Sequence, residues 1–230
     1  MVSDIYIYIY IMSLVKIFGE KRGVSVFKSS EIEHTTGILY PQNTCSSLIY
    51  NLISGLIFVN INDYYYISYV GIITLTLLGI VSFAWWATQL ESIQKLDIVL
   101  YSSTIVYIGS YFIIVINPEY DLYVSTAFVL LNIMGVMSID VGNKQLIRSV
   151  NILSMLFSGS MVTYVLINNV IDSDLLIYGI ILIITGIIMK LCDPYKILPL
   201  QIIGTAWFHI FTGGGIYILW ESAQLELQNE

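Results

Sequence analysis

Five side chains carry the chemistry open to this chain: Ser82, Trp86, Asp97, Thr205 and His209. Three fall in one stretch, VSFAWWATQLESIQKLDIVLY at 81–101, and two in another, GTAWFH at 204–209. Ser82 and Trp86 are four residues apart, as are Thr205 and His209, so each pair shares one helix face. Hydroxyl, carboxylate and imidazole are the groups of acid–base and nucleophilic chemistry. Both stretches are otherwise apolar, and an ionisable group in an apolar helix is costly and a functional candidate by default. Plainer roles stand beside that one. Asp97, near the start of an apolar run, could cap free N–H groups and complement the helix dipole. Ser82 could act as hydroxyl glue between membrane helices, and Trp85 and Trp86 as interfacial anchors. The glycine run 213–215 most simply permits close helix packing.

The elements that must position these residues are membrane helices. The chain has 230 residues, of which 57% are hydrophobic and only 11% charged. Its mean hydropathy is +0.82. Soluble domains carry about 25% charged residues, so these charges are too few to cover a water-facing surface. The expected fold is all-α: one polytopic bundle of seven transmembrane helices behind a short apolar N-terminal segment. The spans are expected at 45–59, 66–87, 96–116, 122–141, 150–168, 175–191 and 198–220, each bounded by polar or turn residues. The first is the weakest and could begin as early as Leu39. The apolar run 5–18 is shorter than a ~30 Å hydrocarbon core needs, and it reads as a re-entrant or interfacial segment. Residues 19–44 read as a polar, solvated stretch, and 221–230 as a short acidic tail.

Charge orients the bundle. Nine Lys and Arg are present: Lys16, Lys21, Arg22 and Lys28 before the first span, then Lys95, Lys144, Arg148, Lys190 and Lys196 in alternate connections. The other connections carry acids only, among them Asp63, Glu119, Asp121, Asp172, Asp174, Glu221, Glu226 and Glu230. The positive-inside rule then makes residues 19–44 cytoplasmic and the C-terminus extracytoplasmic or lumenal. The same topology puts Ser82, Trp86, Asp97, Thr205 and His209 in the cytoplasmic half, with Asp140 in the same layer. A net charge of -7 argues against nucleic acid as a partner. Cys45 and Cys192 suggest no disulfide framework and both fall at the cytoplasmic face.

At these residues the chain resembles the alkaline ceramidases, part of the CREST group of seven-helix membrane hydrolases. In that family a Ser is followed four residues later by a zinc-binding His, and eleven residues after that by an Asp. Ser82, Trp86 and Asp97 keep both spacings. A His-x-x-x-His pair follows on the family's last helix, and Thr205-Ala206-Trp207-Phe208-His209 keeps its outline. Asn43-Thr44-x-Ser46 is similar to the family's Asn-Thr-x-Ser-Asn. The likeness runs over about residues 40–220, in the same order and on matching helices. It implies zinc positions at Trp86, Thr205 and His209, of which only His209 keeps a histidine. The family's acidic residue before Asn-Thr is Tyr40 here.

Catalytic zinc normally takes three protein ligands and one open position. Tryptophan cannot ligate, and threonine ligates poorly. The expected cofactor is therefore none, although His209, Asp97 and Asp140, with His34, are a further conceivable ligand set. Two functions follow. The first is a non-catalytic relative that binds a membrane lipid, such as a sphingolipid, or a partner membrane protein. The second is a ceramidase-like amide hydrolase with an altered site, in which Ser82 is a nucleophile activated by His209 and Asp97. Seven helices alone suggest a receptor, but residues 198–220 contain no Lys for a retinal Schiff base. A transporter finds no clear internal repeat or pair of broken helices.

Overall fold

A computed structural model describes residues 40–62, 64–138, 143–168, 170–171, 173–192 and 204–227. His34, Asp140 and the N-terminal run 1–39 lie outside the described residues. Among those described, every regular element is helical. They are α1 (Pro41–Ser47), α2 (Ile49–Asn60), α3 (Tyr66–Thr88), α4 (Glu91–Ile116), a 3₁₀ turn (Pro118–Tyr120), α5 (Asp121–Ser138), α6 (Lys144–Ile167), α7 (Ser173–Cys192) and α8 (Gly204–Leu227).

Among the described residues five helices, α3 to α7, are long and apolar enough to cross a membrane, where the apolar runs predict seven. The other two fall short for separate reasons. The first run is split at Leu48, whose N–H bonds back to the Cys45 and Ser46 carbonyls, so α2 has only 12 residues. The last, α8, has 24 residues but mixes His209, Thr212, Glu221 and Gln224 into its sequence.

Three local expectations are corrected. Residues 41–44 are not a solvated stretch: they open α1, with Pro41 in its first turn and Asn43 and Thr44 fully buried. Proline fits there because its missing N–H would have no helical partner anyway. Residues 221–227 are not a tail: they continue α8, with Ser222, Ala223 and Gln224 buried. They stay helical because Gln224 has partners to reach, donating to the Tyr111 hydroxyl at 2.8 Å and accepting from the Asn62 N–H at 3.3 Å. Asp97 does not cap a helix start. The run ESIQK before it is helical, and Glu91 takes the first-turn position that complements the dipole.

Helix α4 is the central post. In its most apolar stretch 67% of residues are buried, against 17% in α5 and in α7, and 22% in α6. It packs on α3, α5, α6 and α8, whereas α7 packs chiefly on α8. The core between them is built on Tyr107, Phe112, Ile114, Leu75 and Leu78. Glycines set the closest approaches. A Cβ on Gly71 would fall 2.1 Å from Cζ of Tyr107, and one on Gly215 would fall 2.8 Å from the Gly179 carbonyl oxygen. Between helices the hydroxyls act as glue. Ser102 donates to Asn151 Oδ1 at 2.7 Å, and Ser103 donates to Asn132 Oδ1.

One end of the bundle is fastened by Asp121. The residue before α3, Tyr65, supplies no side-chain cap. The buried Asp121 carboxylate does it from α5 instead, accepting from the Tyr66 N–H at 2.6 Å, the Ile67 N–H at 3.0 Å and the Ser125 hydroxyl at 3.0 Å. Charge-assisted bonds to otherwise orphaned donors are the strong kind. Replacing Asp121 with Ala should cost about 2 kcal/mol of unfolding free energy, and Asp121→Asn clearly less. Unfolding of the purified protein in detergent measures both, and an unchanged Asp121→Ala midpoint would refute this account of the α3 cap.

Candidate functional site

The opposite end of the bundle holds the polar centre. There α3 closes with Gln89 in the left-handed region at φ 54°, its N–H bonded to the Trp85 carbonyl at 2.7 Å. A residue with a Cβ is uncommon there. Its side chain compensates by donating to the same carbonyl at 3.0 Å. The chain reverses within two residues, and α4 then climbs back past α3, bringing Asp97 alongside Ser82. The Ser82 hydroxyl and the Asp97 carboxyl lie near one another. Ser47, from α1, donates to the Asn43 carbonyl at 2.8 Å and reaches the Ser82 hydroxyl at 3.2 Å.

Helix α8 delivers Thr205 in its first turn and His209 one turn further, both buried. His209 Nδ1 lies 2.8 Å from the Ser46 hydroxyl of α1. Its ring is enclosed by aromatics, with centroids at 5.8 Å from Tyr50, 6.4 Å from Trp86 and 5.7 Å from Phe208. Trp86 is itself held by Tyr40, whose N–H donates to the Trp86 carbonyl at 3.2 Å and whose ring meets the indole edge-on at 5.7 Å.

The five residues singled out from the sequence therefore do meet, on three helices at one end of the bundle. Their pairing differs from a serine-triad arrangement. His209 pairs with Ser46 rather than with Ser82, and Ser82 pairs with Ser47.

A sixth residue completes the centre. Lys190, two residues from the end of α7, turns its side chain inward. Its ammonium stands over the Trp86 ring at 5.4 Å from the centroid and donates to the Thr205 hydroxyl. Asp97 and His209 lie near it. Sequence reasoning took Lys190 only as one of the nine orienting cations. A signal was present: it is the one Lys or Arg inside any of the seven expected spans. Ser46 was visible only as part of Asn43-Thr44-x-Ser46, with nothing to pair it with His209.

The zinc that the resemblance implies does not fit these side chains. Trp86 offers an indole face, Thr205 a hydroxyl already engaged, and His209 a single imidazole. Among the described residues no group of three or more His, Cys, Asp or Glu could hold a metal ion. A cationic group also stands among these residues already, and like charges at contact range repel strongly in an apolar interior. Neither a protein-family model nor a curated relative matches the chain.

Zinc in the detergent-purified protein should remain far below one equivalent and should not change in His209→Ala. Elemental analysis by mass spectrometry decides this. Near-stoichiometric zinc that disappears in His209→Ala would mean that a ligand set forms despite Trp86 and Thr205.

Proposed function

We propose that this chain is a seven-span membrane protein whose polar centre binds the polar group of a membrane lipid without hydrolysing it, as a non-catalytic relative of the alkaline ceramidases. One observation carries the proposal: two of the three positions that resemble that family's zinc ligands, Trp86 and Thr205, touch the ammonium of Lys190. A hydrolase of this type needs a metal-bound water whose pKa is lowered to about 7. An ammonium lends charge and hydrogen bonds, but it has no open coordination position for a water.

Seven spans are part of the same proposal. Helices α1 and α2 run together over 41–60, and at 1.5 Å per residue that is about 30 Å. Helix α8, at 24 residues, is longer still. Both are long enough for a hydrocarbon core, and α8 hides its polar side chains by facing the other helices. The basic ends of the helices then face the cytoplasm. A glycosylation acceptor appended after Glu230 should be modified in microsomes, and one placed within residues 19–44 should not. The reverse pattern would invert the orientation.

A second reading, an active amide hydrolase, is favoured by the Ser46–His209 contact, since an imidazole at 2.8 Å can take a proton from a serine hydroxyl. The two readings separate in one assay. Purified protein incubated with labelled ceramide should release no fatty acid above a His209→Ala control, while extraction of the same preparation should yield a bound lipid in constant ratio. Release that is lost in both Ser46→Ala and His209→Ala would establish the hydrolase instead. Absence of both release and bound lipid would remove the lipid from either reading.

A further inference from the structure

The wall that holds Lys190 is selective. The Trp86 face attracts a cation through the ring quadrupole, and the Thr205 hydroxyl accepts an N–H. Together these suit a primary ammonium: a compact charge with several N–H donors. A phosphate or carboxylate would meet the negative face of the Trp86 ring.

The occupant, Lys190, belongs to a helix with one chief neighbour. Helix α7 packs chiefly on α8, through the glycine contact at Gly179 and Gly215 and a second at Gly186. Lys190 is in its last turn, and Ile184, Ile188 and Leu191 around it are exposed on the lipid-facing surface. Withdrawing the lysine therefore needs a change of its own flexible stem and of one helix end. The opening that results would face the acyl region of the bilayer. A molecule entering there would bring an apolar tail along Ile184, Ile188 and Leu191 and a polar head into the centre.

We propose that the Trp86–Thr205 wall is a binding site for the primary ammonium of an amphiphile, and that Lys190 occupies it as a built-in competitor. This rests on the lipid-binding reading and adds the chemical class of the ligand. The competitor keeps the site closed until the amphiphile is abundant enough to displace it. Removing Lys190 frees the site, so apparent affinity rises by the inverse of the fraction of time the site had stood open.

The test uses wild type and Lys190→Ala in mixed micelles with hexadecylamine, hexadecanol, hexadecyltrimethylammonium or phosphatidylethanolamine. Thermal unfolding is followed as a function of probe mole fraction. Hexadecylamine should stabilise Lys190→Ala at roughly tenfold lower mole fraction than wild type. Hexadecanol and the trimethylammonium probe should not, because one lacks the charge and the other the N–H donors. Thr205→Val added to Lys190→Ala should weaken the response. A matching response to phosphatidylethanolamine would assign an aminophospholipid, and its absence a free long-chain amine. Equal stabilisation by hexadecanol, or none by either amine, overturns the proposal.

If Lys190→Ala does not fold, wild type still decides. Hexadecylamine should speed hydrogen exchange at residues 186–192 and hexadecanol should not; unchanged exchange overturns the proposal. The lipid extracted from wild type separates the two levels of inference. A constant bound lipid without a primary amine ends this inference and leaves lipid binding standing, whereas no bound lipid and no probe response ends both.

Discussion

A partly buried lysine ammonium at the end of an apolar helix loses part of its water and needs partners where it lies. Lys190 is met by two helices at once: α3 through the Trp86 face and α8 through the Thr205 hydroxyl. That single group thus ties α7, otherwise packed chiefly on α8, to the centre of the bundle. It also accounts for the other polar residues around it. Ser82 accepts from Ser47, with the Asp97 carboxyl nearby. His209 has Ser46 on one ring nitrogen and aromatic rings around it. Each is a group that could not be buried alone.

The same constraint shapes the rest of the fold. At the far end Asp121 satisfies the first N–H groups of α3, and Gln224 joins α8 to Tyr111 of α4. Between the two ends the helices are joined by hydroxyl and amide pairs and by aromatic rings laid over glycines, as Tyr107 lies over Gly71. Apolar attraction alone does not hold helices together in lipid, since the tails are as apolar as the side chains. Polar bonds and close packing must do so, and in this chain they concentrate at the ends and along α4.

Much of this was legible in the sequence. The apolar runs locate α3 to α7, because the length of a crossing is fixed by the thickness of the membrane. The ends of the helices were less legible. ESIQK before Leu96, KQLIRS before Val150 and ESAQ after Trp220 all read as connections, yet each is helical. Hydropathy marks the slab, whereas the hydrogen-bonded helix runs on past it. For the site, spacing placed Ser82 with Trp86 and Thr205 with His209, and the order of motifs brought them to one layer. The partners Ser46 and Lys190 were missed for a physical reason. Contacts between helices far apart in sequence leave no periodicity within either one.

The identity of the cation decides what such a centre can do. A metal ion draws electrons from a bound water and from a carbonyl, and so makes both nucleophile and electrophile. An ammonium is already saturated by its own hydrogens. It orients acceptors and balances a carboxylate, but it gives a water no new acidity. In a centre where the ammonium meets an indole face and a hydroxyl and the imidazole faces a serine, the polar groups are matched to one another before any ligand arrives. Such a centre changes state by exchange, one partner leaving as another of the same chemistry enters. Under the proposed reading that exchange is the function, and the tether that returns Lys190 to Trp86 and Thr205 sets how readily it occurs.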